Sequence, residues 1–268
     1  MNSGMRIEVR DGHIAVGRGR DEGARVIFFP HAGGSAISML PLASDLHDGV
    51  EALLIDLPGR GARDREPRAA TFDEARRVLA RQVEPLLDRP AIMFGHSLGG
   101  LLCDAVVRSL SPRTRAWLRC VVVSSAPSPR RTAALSGALP SPPPRRSRER
   151  LVAGLIGYGG TPAPVFDTPE LLEGAVKAFG DDLLIMDSYQ LYPCSPLPET
   201  DYELWNGGQD ASAASDEPEA WADVLVRPPR TRMFPGGHFY LLERSEAREC
   251  LHRVVKARLW QHDQEASR

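Results

Sequence analysis

Apolar residues along this chain fall into two alternating patterns. Short apolar runs bounded by turn residues recur at 26–29, 52–57, 91–94 and 120–124. Each is brief and partly β-branched or aromatic, as expected of strands buried on both faces of a parallel sheet. Longer segments with helical spacing lie between them. Thr71-Phe72-Asp73-Glu74 reads as a capping box, with Thr71 capping the amide of residue 74 and Glu74 reaching back. It opens a helix whose apolar positions Ala75, Val78, Leu79, Val83 and Leu86 share one face. A second helix is expected from Ser97 to about Leu110, where Ser111-Pro112 stops it. Strands return at 201–205 and 230–234. A last helix over about 245–260 presents Ala247, Leu251, Val254, Val255 and Leu259. Alternation of this kind predicts an α/β fold with a mostly parallel central sheet flanked by helices.

The middle of the chain breaks the pattern. Residues 127–150 are rich in Pro, Ser and Arg, with Pro142, Pro143 and Pro144 consecutive. Proline removes donors and interrupts helices, so this stretch reads as a loop or mobile connector. Helix-like pieces follow at about 148–156 and 169–189, separated by Gly157-Tyr158-Gly159-Gly160-Thr161-Pro162. The chain shows no internal repeat, and the reading is one domain over residues 1–268 with a helical insertion.

Composition narrows the function classes without choosing among them. The 268 residues are 42% hydrophobic and 25% charged, a balance that excludes whole-chain disorder. A formal net charge of −2 gives no electrostatic case for nucleic acid. No run of about 18 apolar residues exists to span a membrane, and residues 1–10 carry no secretory apolar segment, so a cytoplasmic protein is expected. Cys103, Cys120, Cys194 and Cys250 are widely spaced and never form CxxC. They read as buried structural thiols, with neither a zinc site nor a disulfide framework.

Gly95-His96-Ser97-Leu98-Gly99 matches G-x-S-x-G between an expected strand and an expected helix. A serine hydroxyl is a weak nucleophile and needs a tight turn where a base can reach it. Glycines at both ends remove side chains that would collide there, and the helix N-terminus behind Ser97 offers free amides to a developing oxyanion. An acid and a histidine are then expected downstream, in that order. His252 lies inside the last helix and His262 in a polar tail, whereas His238 sits in Pro235-Gly236-Gly237-His238-Phe239 directly after a strand. His238 is therefore the expected general base. Asp210 follows a strand through Asn206-Gly207-Gly208-Gln209 and is the expected acid. Asp216, Glu217 and Glu219 compete, but they belong to a helix start where acids act as caps, and Asp201 and Glu203 lie in the strand itself. The backbone amides of Ala32, in the loop Phe29-Pro30-His31-Ala32-Gly33-Gly34, and of Leu98 are expected to form the oxyanion hole. His31 and His96 read as ordering residues.

Four segments together resemble the type II, or external, thioesterases of polyketide and nonribosomal peptide synthesis: the loop at 29–34, Leu57-Pro58-Gly59-Arg60, the Ser97 turn, and Phe234-Pro235-Gly236-Gly237-His238-Phe239. The resemblance runs from about Val26 to Leu242. It implies an α/β-hydrolase fold with a helical lid, which the insertion over 127–198 would supply. It also implies hydrolysis of acyl groups from the phosphopantetheine arm of acyl or peptidyl carrier proteins, met transiently. The enzyme would then need no metal or cofactor of its own, and it is expected to work as a monomer. The sequence departs from the family where an Arg-Ala-Asp motif is common in the lid, reading Phe179-Gly180-Asp181-Asp182 with Tyr189 following. It also lacks the proline usual after the acid, reading Asp210-Ala211. Rival readings of the same triad are a general carboxylesterase or lipase and an acyltransferase or cyclase. A catalytically inactive binding protein is a third.

Overall fold

The chain enters its sheet through a hairpin, β1 (Arg6–Arg10) and β2 (His13–Gly17). The strands expected from sequence follow as β3 (Ala24–Phe29), β4 (Val50–Ile55), β5 (Ala91–His96), β6 (Leu118–Ser124), β7 (Tyr202–Gly207) and β8 (Arg230–Phe234). The structure is a computed structural model that describes residues 5–17, 22–191, 200–212 and 217–260. Across the sheet the order is β1-β2-β4-β3-β5-β6-β7-β8. β2 runs antiparallel to both its neighbours, and every other pair is parallel. The hairpin is an addition to the sequence reading. Its turn is the dipeptide Asp11-Gly12, with Gly12 at φ 76°, where a glycine is favoured.

Along β3 the side chains alternate between two cores. Ile27 and Phe29 join Leu53, Met93 and Val121 on one face, while Val26 and Phe28 join Leu54, Phe94 and Trp205 on the other. Both faces are apolar, so both must be covered. Helices α1 (Phe72–Val83) and α2 (Leu98–Ser109) cover the first with Phe72, Leu79, Leu102 and Val106. The C-terminal helix (Ser245–Leu259) covers the second with Leu251, Val254, Val255 and Leu259. At the start of α1, Thr71 Oγ1 accepts from the Glu74 amide at 3.2 Å, as the capping box predicts. Glu74 reaches back one residue further than expected, to the Ala70 amide at 2.8 Å.

Between β6 and β7 the chain forms helices α3 (Pro129–Gly137), α4 (Arg148–Tyr158), α5 (Ala163–Asp167) and α6 (Pro169–Asp187). The expectation of an irregular connector over 127–150 is corrected at α3. Pro129 stands at the first helical position, where a missing amide costs nothing, and Ser128 caps the turn by accepting from the Arg131 amide. These helices build a small core of their own from Leu151, Leu155, Val176, Phe179 and Leu183. The end of the expected insertion, 192–198, lies outside the described residues, as does Cys194. Among the described residues no helix is long and apolar enough to cross a membrane. Cys103, Cys120 and Cys250 are buried free thiols, as expected.

Candidate active site

β5 passes into α2 through Ser97, whose backbone sits at φ 55° and ψ −123°. That setting is rare for a residue with a side chain and costs roughly 1–3 kcal/mol. Two hydrogen bonds maintain it: the Ser97 amide donates to the Ser124 carbonyl at 2.8 Å, and the Gly100 amide donates to the Ser97 carbonyl at 2.9 Å. The flanking glycines are dictated by contact. A Cβ on Gly95 would overlap the Gly99 carbonyl, and one on Gly99 would run into the carbonyl oxygens of Phe29 and Pro30. Gly99→Ala should therefore cost about 3 kcal/mol, because the obstacle is backbone and cannot rotate away. Thermal unfolding should show the midpoint falling by roughly 10 °C. An unchanged midpoint would show that the turn can relax.

His238 and Asp210 meet at the ends of β7 and β8. His238 Nδ1 lies 2.8 Å from Asp210 Oδ2. The other carboxylate oxygen, Oδ1, accepts from the Ser212 amide at 2.9 Å and from Ser212 Oγ at 2.6 Å. Ser212 Oγ also lies 3.1 Å from His238 Nδ1. Burial alone would raise the Asp210 carboxyl, but the hydrogen bonds and charge of His238, with the two donors of Ser212, outweigh it and hold the group well below the usual carboxylate range. An ionised carboxylate only accepts, so the imidazole proton sits on Nδ1 and the basic lone pair on Nε2.

The rival acids are engaged elsewhere or face away. Asp201 pairs with Arg227 and Arg258, and Glu203 accepts from Arg232 at 2.8 Å and from the Trp205 indole at 3.0 Å. Glu219 is exposed. Asp216, the Glu217 side chain and His262 lie outside the described residues. His252, on the C-terminal helix, packs against His47.

Two further imidazoles cluster here, one against the His238 ring and the other against that of His96. His96 lies at a centroid distance of 4.9 Å, bonded through Nδ1 to Ser124 Oγ at 2.9 Å, which in turn meets the Tyr240 hydroxyl at 2.9 Å. Burial lowers its pKa well below the ordinary value, and its Nε2 has no hydrogen-bond partner among the described residues. His31 is pushed down to about 4 by desolvation, and its Nδ1 donates to the Ala32 carbonyl at 3.0 Å. Burial makes both rings weaker proton acceptors than a free imidazole. Among the described residues only His238 combines a carboxylate partner with a place in the cavity.

That cavity has a volume of about 450 Å³ and contains both Ser97 and His238 in its lining. Ala32 lines it beside Ser97, and Leu98 opens α2, where an amide has no intrahelical acceptor. Neither amide is used in a hydrogen bond among the described residues. The rest of the wall is largely apolar: the inserted helices supply Leu155, Val165, Phe179, Leu183 and Met186, and Ile37, Pro41, Phe239 and Leu242 come from outside the insertion. Tyr158, at the end of α4, packs its ring 4.9 Å from that of His238. Among the described residues no group of three His, Cys, Asp or Glu side chains is placed to hold a metal ion.

Sequence reasoning missed Ser212 and Tyr158. Ser212 was within reach, because an Asp followed two residues later by a serine is a turn in which the carboxylate accepts that residue's amide. Tyr158 carries no such signal. It meets His238 only once the inserted helices are folded over the sheet.

A family model described as a thioesterase domain matches residues 24–258. Over 226 residues the chain is 30% identical to the probable cadicidin biosynthesis thioesterase of Streptomyces griseus, covering 84% of this chain and 60% of that protein's length. It is 25% identical to the gramicidin S biosynthesis protein GrsT of Aneurinibacillus migulanus, covering 82% and 83% of the two chains. Among solved structures, the type II thioesterase BorB from the borrelidin biosynthetic cluster matches with a TM-score of 0.71 at 29% identity, covering 95% of this chain and 97% of its own.

Proposed function

The chain belongs to the thioesterase family, and on that premise we propose that it hydrolyses acyl groups from phosphopantetheinyl carrier proteins of polyketide or nonribosomal peptide assembly, through an acyl-Ser97 intermediate. The carrying observation is the hydrogen-bonded Asp210–His238 pair, whose imidazole shares a cavity of largely apolar wall with the strained Ser97 turn. Ser97 Oγ attacks the thioester carbonyl carbon while its proton passes to His238 Nε2. The carbonyl oxygen becomes an oxyanion on the amides of Ala32 and Leu98. Collapse breaks the carbon–sulfur bond, and the departing pantetheine sulfur takes the proton from His238. A water then gives its proton to His238 and its oxygen to the acyl carbon. The second collapse frees the carboxylic acid and returns the proton to Ser97.

The helices between β6 and β7 act as the lid and supply the wall against which an acyl chain packs. The phosphopantetheine arm arrives with the substrate, so the enzyme calls on no cofactor of its own. The catalytic groups all come from one chain, which suits a monomer, and three free thiols suit a reducing, cytoplasmic setting.

The test compares kcat/KM for an acyl-carrier thioester with that for the p-nitrophenyl ester of the same acid, with the product identified by mass. The carrier thioester should be preferred and the product should be the free acid. A preference for the simple ester by orders of magnitude would make the chain a general esterase, and an amide, ester or lactone product would make it a transferase or cyclase.

A further inference from the structure

The loop that carries the Ala32 amide is gripped from the lid. Asp182, on α6, is completely buried. Its Oδ2 accepts from the Gly33 amide at 2.7 Å and from Arg60 Nη1 at 2.6 Å, while Oδ1 accepts from Arg60 Nη2. Arg60 Nη1 also donates to the Gly34 carbonyl at 2.8 Å. One ion pair therefore holds the N–H of Gly33 and the C=O of Gly34, the two residues directly after Ala32. Arg60 Nε is buried with no hydrogen-bond partner among the described residues, so the fork is aimed at Asp182 and the loop. Gly33 sits at φ 77°, and Phe179, three residues before Asp182 on the same helix, closes on it so that a Cβ there would lie 3.2 Å from the Phe179 Cβ. Phe179 is also a wall of the acyl cavity.

A Gly-Gly segment has more backbone freedom than any other dipeptide, whereas oxyanion stabilisation needs donors fixed before the reaction. A buried ion pair is a weak source of stability, since an apolar pair of similar volume often matches it, but its bidentate geometry is specific. We propose that Asp182 and Arg60 are positioning residues that hold the Ala32 amide in its oxyanion-binding place, so that the oxyanion hole is set by the seating of the lid helix. The proposal rests on the reading of Ser97 as nucleophile and Ala32 as oxyanion donor. It goes beyond that reading by making an acyl-wall helix a determinant of the chemical step.

The test replaces the pair by apolar residues of similar size, R60M/D182L, and in parallel makes the isosteric D182N. Each variant is examined for its thermal midpoint, for kcat and KM on the preferred thioester or ester, and for inhibition by a trifluoromethyl ketone analogue of the acyl chain. Active sites are counted by fluorophosphonate labelling. The ketone adds to the nucleophile and places its oxygen where the oxyanion forms. In R60M/D182L, kcat per labelled site should fall about 10- to 100-fold with KM nearly unchanged, and the inhibition constant should rise by a similar factor. In D182N a single oxygen must serve Gly33 and Arg60, and a smaller loss of the same kind is expected. A purely structural pair would lower the midpoint or the count of labelled sites and leave kcat per site unchanged. That result in R60M/D182L, or in D182N if the double variant does not fold, overturns the proposal. Failure of the functional reading looks different: carrier thioesters would be rejected by the unaltered chain, or Ser97→Ala would still turn over, while the clamp comparison could still be made on a simple ester.

Discussion

Ser97→Ala is expected to lower kcat for thioester hydrolysis by about 10⁵-fold and to abolish covalent labelling by a fluorophosphonate. The loss is large because the hydroxyl is the only group in the proposed route that forms a bond to the acyl carbon in the first step. Without it the substrate still meets the Ala32 and Leu98 amides, and His238 can still activate water, so a small residual rate should survive. KM should change little, since the acyl chain rests on Leu155, Phe179, Leu183 and Met186 and not on Ser97. The fold should be indifferent. The Ser97 side chain makes no capping hydrogen bond, and its backbone bonds to Ser124 and Gly100 are retained by alanine. The thermal midpoint therefore serves as the control. A folded Ser97→Ala protein that keeps more than about a tenth of wild-type kcat, or that still takes the label, would place the nucleophile elsewhere.

The sequence was most legible where local pattern and tertiary fate agree. β3, β5 and β6 are short, largely apolar or β-branched runs between turn signals, and the last helix begins where its spacing predicts. The Ser97 turn was legible because Gly95 and Gly99 are demanded by backbone contacts that five consecutive residues make among themselves and with β3. The hairpin was not read, because β1 is an edge strand whose apolar side chains face water: Ile7 is 47% exposed and Val9 72%. With no buried face its pattern of alternating charge and hydrophobe looks like a polar terminus, and Asp11-Gly12 was the one cue. Helix α3 is hidden by the proline density around it, which reads as a breaker, although proline at the first helical position starts a helix. The Arg60–Asp182 contact joins residues 122 apart in sequence, and no periodicity encodes a pairing of that range.

The departures from the family pattern take on physical meaning at these positions. Asp182 belongs to the lid segment Phe179-Gly180-Asp181-Asp182, yet it supplies a carboxylate that binds Arg60 of Leu57-Pro58-Gly59-Arg60. Its neighbour Asp181 pairs with Arg68 at 2.6 Å, which fastens the same helix from outside, and with Lys177 of its own helix at 2.9 Å. The inserted helices are thus tied down by two adjacent carboxylates with different partners. The inner one reaches the loop after Ala32, and the outer one is partly exposed to solvent, where an ion pair adds little stability.

Asp210→Asn should lower kcat by about 10⁴-fold, the size of effect expected when the imidazole is left in the wrong tautomer. The direction follows from Ser212. Its amide and hydroxyl both aim at the Asp210 Oδ1 position, so an asparagine places its oxygen there and turns its NH₂ toward His238 Nδ1. Nδ1 must then accept, which puts the ring proton on Nε2, the nitrogen that has to take the proton of Ser97. Adding Ser212→Ala removes the hydroxyl but leaves the backbone amide of residue 212 aimed at the same position, so the asparagine stays turned and the double variant should recover little of the lost rate. Stability supplies a second readout. The Asp210 carboxyl is held below its unfolded-state value, so in the wild type it contributes stability that is present above about pH 4 and is lost as the pH falls. The variant lacks that term, and the gap between the two thermal midpoints should narrow on going from pH 7 to pH 3. If Asp210→Asn keeps kcat within tenfold of wild type, the acid of the triad is not Asp210 and the tautomer argument falls with it.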